Sequence, residues 1–178
     1  MSVEDGVRGP GRRLGVDRAA VEARLTTSSE VGTATHRLIA AVAASPGHRP
    51  DAQRVTALAR RTVGVGLSTS ARQTLRAGTI SMACVYFARF WTPGMRLIGC
   101  EVVVQDQALD LLWQLPEGQL LADEIKTGLF SDRDGGLVRA QVEAQLHASR
   151  AVLGPRLRGV RAVLLRRPGD SFELGGSG

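Results

Sequence analysis

The chain has 178 residues, of which 43% are hydrophobic, and this length and composition are those of one globular domain with a substantial core. No stretch approaches the roughly 20 apolar residues of a membrane span, and the first residues lack the apolar core of a secretory signal, so a cytoplasmic protein with no membrane partner is expected. The net charge of +6 favours a polyanionic partner such as nucleic acid.

The chain is predicted to contain one domain and two tails. Residues 1–17 are rich in Gly and Arg and are expected to form a disordered basic tail. A single domain is predicted over residues 18–168. Residues 169–178, which are rich in Gly and Ser near their end, are expected to be a loose C-terminal tail.

The first part of the domain is predicted to be helical. Two helices are expected before residue 45, a short one capped by Asp17 and an alanine-rich one that starts at a capping box in residues 27–30. Asp51 is expected to cap a third helix, which ends at the glycine break in residues 64–66. Residues 68–77 are predicted to form a fourth, short helix.

From residue 79 onward, β-branched and aromatic residues predominate and the prediction changes to strands. Residues 79–91 and 95–104 are expected to form two strands joined by a turn. Cys84 and Cys100 have apolar neighbours in these strands, so both are expected to be buried structural thiols.

A meander of three short strands is predicted between Gly99 and Gly128. The apolar runs 102–104, 108–115 and 119–126 are separated by a polar break and by a Pro-Glu-Gly turn. Beyond the meander, a polar loop, a helix and a last strand are predicted over residues 129–136, 137–153 and 160–165.

Charged side chains on the meander form a candidate site. Glu124 and Lys126 are two residues apart on one strand and therefore point to the same face, whereas Asp123 points to the other face and replaces Glu124 if the register is shifted by one. Asp110 lies within an apolar strand, where a carboxylate needs either a metal or an Arg partner. Lys126 is the only Lys among 23 basic residues, which favours a role that needs a compact ammonium group. Two carboxylates beside an ammonium group are suited to metal-assisted hydrolysis of phosphodiesters.

The order of the elements and the D-x13-E-x-K spacing of these residues resemble the PD-(D/E)xK nuclease superfamily. Three further segments are similar to motifs of its RecB-type exonuclease branch: residues 32–36 (GTATH) to a G-T-x-x-H helix, residues 126–128 (KTG) to a K-T-G strand end, and residues 145–146 (QL) to a Q-L-x-x-Y helix. The chain departs from this pattern at Ser149, which replaces the tyrosine, and at Leu109, which stands where the superfamily motif has Pro.

The resemblance implies an α/β fold with a restriction-endonuclease-like core, in which a central mixed sheet is flanked by helices and preceded by an N-terminal helical segment. It implies a metal-dependent nuclease that hydrolyses phosphodiester bonds in DNA, in repair or in defence against foreign DNA. Mg²⁺ or Mn²⁺ is the implied cofactor. No iron–sulfur cluster is expected, because the four cysteines that some relatives use for it are absent.

The resemblance also implies a role for each residue of the candidate site. The implied metal ligands are the side chains of His36, Asp110 and Glu124 and the backbone carbonyl of Ile125. Lys126 would orient or deprotonate the attacking water, and Gln145 would contact substrate or brace Lys126, with Gln141 as its substitute one turn earlier. Glu101 is a candidate metal-adjacent acid. Phosphate contacts are expected from Arg60, Arg61, Arg72, Arg76, Arg166 and Arg167.

Other interpretations remain open from the sequence alone. His36, Glu124 and Gln145 each have an ordinary alternative as surface or core residues. The whole chain is alternatively a catalytically silent nucleic-acid-binding module or an accessory subunit of a larger nuclease and helicase assembly. The chain contains no P-loop motif, so a motor for processive action would have to come from a partner protein.

Overall fold

The protein is an α/β protein with helices on both faces of a five-stranded mixed sheet. A computed structural model describes residues 18–45, 50–129 and 132–175. In chain order, the elements are α1 (Arg18–Ala43), α2 (Ala52–Thr62), α3 (Thr69–Arg89), β1 (Arg96–Val104), β2 (Gln107–Gln114), β3 (Leu120–Lys126), α4 (Asp132–Leu153), β4 (Leu157–Leu164) and β5 (Phe172–Gly175). The predicted basic tail in residues 1–17, with its Asp17 cap, lies outside the described residues.

The strands follow one another across the sheet in the order β1-β2-β3-β4-β5. Strands β1, β2 and β3 form the predicted antiparallel meander, and β5 pairs antiparallel with β4. Strands β3 and β4 are parallel, and helix α4 makes the crossover that parallel neighbours require. The central strand β3 is therefore covered by neighbours on both edges.

Each face of the sheet has its own hydrophobic core. Helices α1, α2 and α3 pack on one face, around fully buried residues such as Ile39, Tyr86 and Trp113. Helix α4 packs on the opposite face through Val142, against residues that include Val160 of β4. Within the described residues, no helix combines the length and the hydrophobicity that crossing a bilayer requires.

The strand predicted for residues 79–91 is wrong, because helix α3 continues through them to Arg89. The side chains buried along α3 are spaced three or four residues apart, which is the period of a helix: Leu75, Thr79, Met82, Ala83, Tyr86 and Phe87. Packing of this face against α1 and the sheet outweighs the β-propensity of the individual residues. Cys84 is therefore a half-buried helical residue, and Cys100 is exposed on β1 and not buried as predicted.

Other predicted boundaries also differ. Helix α1 is continuous over the junction where two helices were expected, and α4 begins at Asp132, within the predicted loop. Residues 172–175 form strand β5, where a loose tail was expected, because this segment pairs with β4 and Glu173 forms an ion pair of 3.0 Å with Arg158. The predicted cap of α2 is confirmed, since the Asp51 carboxylate accepts a 2.8 Å hydrogen bond from the Arg54 N–H.

Candidate active site

Strand β3 presents Glu124 and Lys126 on the same face, as the alternation of a strand predicts. The Lys126 ammonium donates a 2.5 Å hydrogen bond to Glu124 Oε1. Both side chains are largely removed from solvent, with 19% of Lys126 and 7% of Glu124 exposed. This ion pair is therefore screened much less than one on an open surface.

Two glutamines of α4 complete the surroundings of Glu124. Gln141 donates to Glu124 Oε1 at 2.8 Å and accepts from Lys126 Nζ at 2.8 Å, so one side chain contacts both members of the pair. Gln145, one turn later and almost fully buried, donates to Glu124 Oε2 at 2.5 Å and to the Ala108 carbonyl at 2.8 Å. Gln141 and Gln145 therefore both belong to the site and are not alternatives to each other.

Asp110 connects strand β3 to helix α1. Its Oδ2 accepts a 2.6 Å hydrogen bond from the Ile125 N–H, and its Oδ1 lies 3.3 Å from His36 Nδ1. Burial lowers the pKa of His36, but the hydrogen bond to Asp110 and the charges of Asp110 and Glu124 outweigh this, so the pKa lies above its ordinary value. The backbone of Ile125 also contributes to raising the pKa of His36. The three other expected metal ligands, Asp110, Glu124 and Ile125, thus lie close enough to the His36 imidazole to raise its pKa.

A close approach between α1 and the end of β3 makes this convergence possible. A Cβ atom added at Gly32 would lie 2.6 Å from the Thr127 hydroxyl oxygen, a distance that real Cβ atoms essentially never show. Only glycine fits here without a shift of the helix or of Thr127. His36 follows Gly32 by one turn on the same helix, so the approach at Gly32 helps to bring the imidazole to Asp110.

The donor atoms at the predicted metal site are of types that bind divalent cations. An imidazole, carboxylate oxygens and a backbone carbonyl suit a divalent cation such as Mn²⁺ or Mg²⁺. Among the described residues, however, no three His, Cys, Asp or Glu side chains are grouped closely enough to hold a metal ion by themselves. Both Glu124 oxygens are engaged by Lys126 and the two glutamines of α4. The donor types fit a metal, and Glu124 would have to exchange one of these hydrogen bonds to bind it.

His36 and Asp110 line a cleft of about 420 Å³ together with Glu101, Cys100 and residues of α1. Glu101 is exposed and has a φ of 50°, which is uncommon for a residue other than glycine. Glu101 and Asp110 line the same cleft, and the role of Glu101 as a metal-adjacent acid stays a prediction.

Asp123 points to the opposite face of β3 and is fully buried. It forms a two-pronged ion pair with Arg161 of β4, with both nitrogen–oxygen distances at 2.8 Å, and it accepts hydrogen bonds from the Tyr86 hydroxyl and the Trp113 indole. Asp123 is therefore a structural residue and does not replace Glu124. Arg161 was not singled out in the sequence, although an Arg within the apolar run of β4 is a signal for a buried partner.

The six arginines expected to contact phosphate differ in their hydrogen-bond partners. Arg72 donates to the carbonyls of Gly64 and Leu67, and Arg76 donates to those of Arg60 and Val63, so both hold the connection between α2 and α3. Arg166 donates to the Thr127 carbonyl at 2.8 Å, next to the candidate site, and Arg167 lies 3.9 Å from Asp170. Arg60 and Arg61 are exposed on α2.

Comparison with known proteins adds no further constraint on this site. No protein-family model matches the chain, and no curated protein is significantly similar to it in sequence. What the site does must therefore be inferred from its own residues.

Proposed function

We propose that this protein is a divalent-metal-dependent nuclease of the PD-(D/E)xK type that hydrolyses phosphodiester bonds in DNA. The observation that carries the proposal is the convergence of Asp110, Glu124 and Lys126 with His36 from one face of the sheet and Gln145 from the other. These are the residues that the motif resemblance selected, and they come from four separate elements, α1, β2, β3 and α4. An accidental match to the motif gives no reason for them to meet.

The fold agrees with a restriction-endonuclease-like core. A helix, an antiparallel three-stranded meander, a crossover helix and a parallel strand follow one another in the order on which the resemblance rests. The site lies on β2 and β3, each of which pairs along its length with an outer neighbour, β2 with β1 and β3 with β4, and strands held in this way position their side chains firmly.

Each residue has a role in this proposal. His36, Asp110, Glu124 and the carbonyl of Ile125 would hold the metal, which supplies Lewis-acid stabilisation of the phosphate and activation of water. Lys126 would orient or deprotonate the attacking water and stabilise charge on the phosphate. Gln141 and Gln145 hold Lys126 and Glu124 in place.

One observation favours the alternative of a silent or accessory subunit. Glu124 is bonded to Lys126, Gln141 and Gln145, and no ready-made group of three metal-binding side chains exists among the described residues. A protein that needs a partner to rearrange Glu124 would bind metal weakly and cleave DNA only within an assembly.

The test is cleavage of end-labelled single-stranded and duplex DNA with Mg²⁺ or Mn²⁺. Wild type is expected to cleave, and Lys126→Ala and Asp110→Asn are each expected to lose about 10²–10⁴-fold in rate. Asp106→Asn is the matched control, because Asp106 is an exposed acid in the turn between β1 and β2 and has no part in the site.

The remaining outcomes separate the two candidates. Mn²⁺ binding that Asp110→Asn abolishes, without cleavage by wild type, would favour the accessory subunit. Absence of both cleavage and Mn²⁺ binding would refute the site assignment. Cleavage that persists in the Lys126→Ala variant would refute the role given to Lys126.

A further inference from the structure

A second cavity lies between α1 and the connection from α2 to α3. Its volume is about 540 Å³, which is within the range of small-ligand sites. Its apolar lining includes Leu38, Val63 and Leu75, and its polar lining includes Glu30 and Thr33, both exposed on α1. The cavity therefore offers an apolar interior with hydrogen-bonding groups at its edge, as planar heterocyclic ligands require.

This cavity adjoins the cleft of the candidate active site. Arg37 and Ala41 line both, so the two are neighbours along α1, and together they are called the groove. Arg37 is exposed and makes no hydrogen bond or ion pair with any residue in the described part of the chain. Unlike Arg72 and Arg76, which hold backbone carbonyls, it is free to bind an anion.

We propose that the groove binds an unpaired nucleotide next to the scissile phosphate, with a backbone phosphate on Arg37 and the base in the second cavity. This inference rests on the proposed function, because DNA is the substrate proposed for the adjoining cleft. The Arg37 guanidinium matches a phosphate in charge and in hydrogen-bonding geometry.

The cavity takes the base and not the phosphate for two reasons. Its apolar interior offers no compensation for a desolvated charge but favours burial of a base. The Glu30 carboxylate at its edge repels phosphate, whereas it accepts hydrogen bonds from the amino or ring N–H groups of a base. In a duplex the base is stacked and paired, so only an unpaired nucleotide can enter a concave site.

The first test measures binding in EDTA, where cleavage is suppressed. Fluorescence anisotropy of labelled oligothymidylate is compared with that of a labelled hairpin duplex. Arg37→Gln is expected to weaken single-strand binding by about tenfold, as the loss of a charge-assisted hydrogen bond predicts. Arg150→Gln is the matched control, because Arg150 is equally exposed, has no partner in the described part of the chain, and lies on α4 across the sheet.

The second test addresses the base. Val65→Trp places a large side chain over the second cavity from the connection between α2 and α3, whereas Arg37 lies on α1, and Val65 is 71% exposed, so the fold should tolerate it. This variant is expected to bind oligothymidylate several-fold more weakly, and to bind an abasic oligonucleotide of the same length as well as wild type does. The thermal midpoint of each variant confirms that it is folded.

Equal losses in Arg37→Gln and Arg150→Gln would overturn the proposal, because binding would then depend on diffuse charge alone. Equal wild-type affinity for the single strand and the duplex would also overturn it, as would equal weakening of normal and abasic strands by Val65→Trp. If cleavage depends on Lys126 but binding does not depend on Arg37, the groove proposal is refuted and the nuclease proposal stands. Arg37-dependent binding without any metal-dependent cleavage would refute the nuclease proposal and leave the groove standing.

Discussion

Replacing Gly32 by alanine tests whether the approach of α1 to β3 builds the site. The added Cβ would lie 2.6 Å from Thr127 Oγ1, whereas ordinary contact begins at 3.4 Å, so the helix or the threonine must move by about 0.8 Å. Overpacking of this size costs about 1–3 kcal/mol, and the better helix propensity of alanine offsets about 1 kcal/mol of that cost. We therefore expect Gly32→Ala to lower the free energy of unfolding by roughly 0–2 kcal/mol.

Gly136→Ala in α4 is the matched control, because a Cβ there meets nothing within 4 Å. That variant should gain up to about 1 kcal/mol, so the two alanine variants should differ by about 1–3 kcal/mol in urea unfolding. Thr127→Ala removes the clashing oxygen, and the remaining Cβ of residue 127 lies 3.8 Å away, in ordinary contact. The double variant should therefore recover most of the loss, which a double-mutant cycle measures.

Equal stability of Gly32→Ala and Gly136→Ala would refute this account of the close approach. Absence of recovery in the double variant would refute the assignment of the clash to Thr127. A functional measurement accompanies both, because a displaced α1 also displaces His36, and Mn²⁺ affinity should fall in Gly32→Ala but not in Gly136→Ala.

Two further predictions concern the buried network behind β3. Asp123→Asn leaves the Arg161 guanidinium beside a neutral partner and should lower the free energy of unfolding by about 3 kcal/mol, at the lower end for a broken buried pair because 16% of Arg161 is exposed. Asp106→Asn should change it by less than about 0.5 kcal/mol, and equal effects of the two in urea unfolding would contradict the assignment. Burial and the Asp123 charge raise the pKa of Tyr86 well above its ordinary value. The neutral hydroxyl therefore contributes stability that is fully present below about pH 10 and is lost as the pH rises through the raised value. Tyr86→Phe should lose about 1–3 kcal/mol near neutral pH and should show a weaker alkaline loss, and thermal midpoints of both proteins against pH measure this.

Strand β3 could be predicted from the sequence because its signals are local. Strand periodicity places Glu124 and Lys126 on one face and Asp123 on the other, and the hydrogen bonds of all three agree with this. The turn at residues 116–118 also determines which strands pair, so Asp110 was expected beside Glu124. The bond from Asp110 to the Ile125 N–H is the direct result.

Features that depend on distant packing could not be predicted in this way. Residues 79–89 are rich in β-branched and aromatic side chains, and only their burial against α1 and the sheet makes them helical. Likewise, an Arg-rich sequence does not reveal that Arg76 holds the carbonyls of Arg60 and Val63, while Arg37 has no partner among the residues that the structure describes. Whether an arginine is available to bind an anion depends on neighbours that only the folded chain brings together.

The candidate site also has a consequence for the folding of the chain. His36 comes from the helical layer on one face of the sheet and precedes Asp110 by 74 residues. Gln145 comes from the helix on the other face and follows Glu124 by 21 residues. A partly folded chain with only one face covered would contain most of the secondary structure but an incomplete site. Contacts between distant segments form late in folding because their closure entropy must be paid first. In a refolding experiment, recovery of metal binding should therefore lag behind recovery of the helical circular dichroism signal.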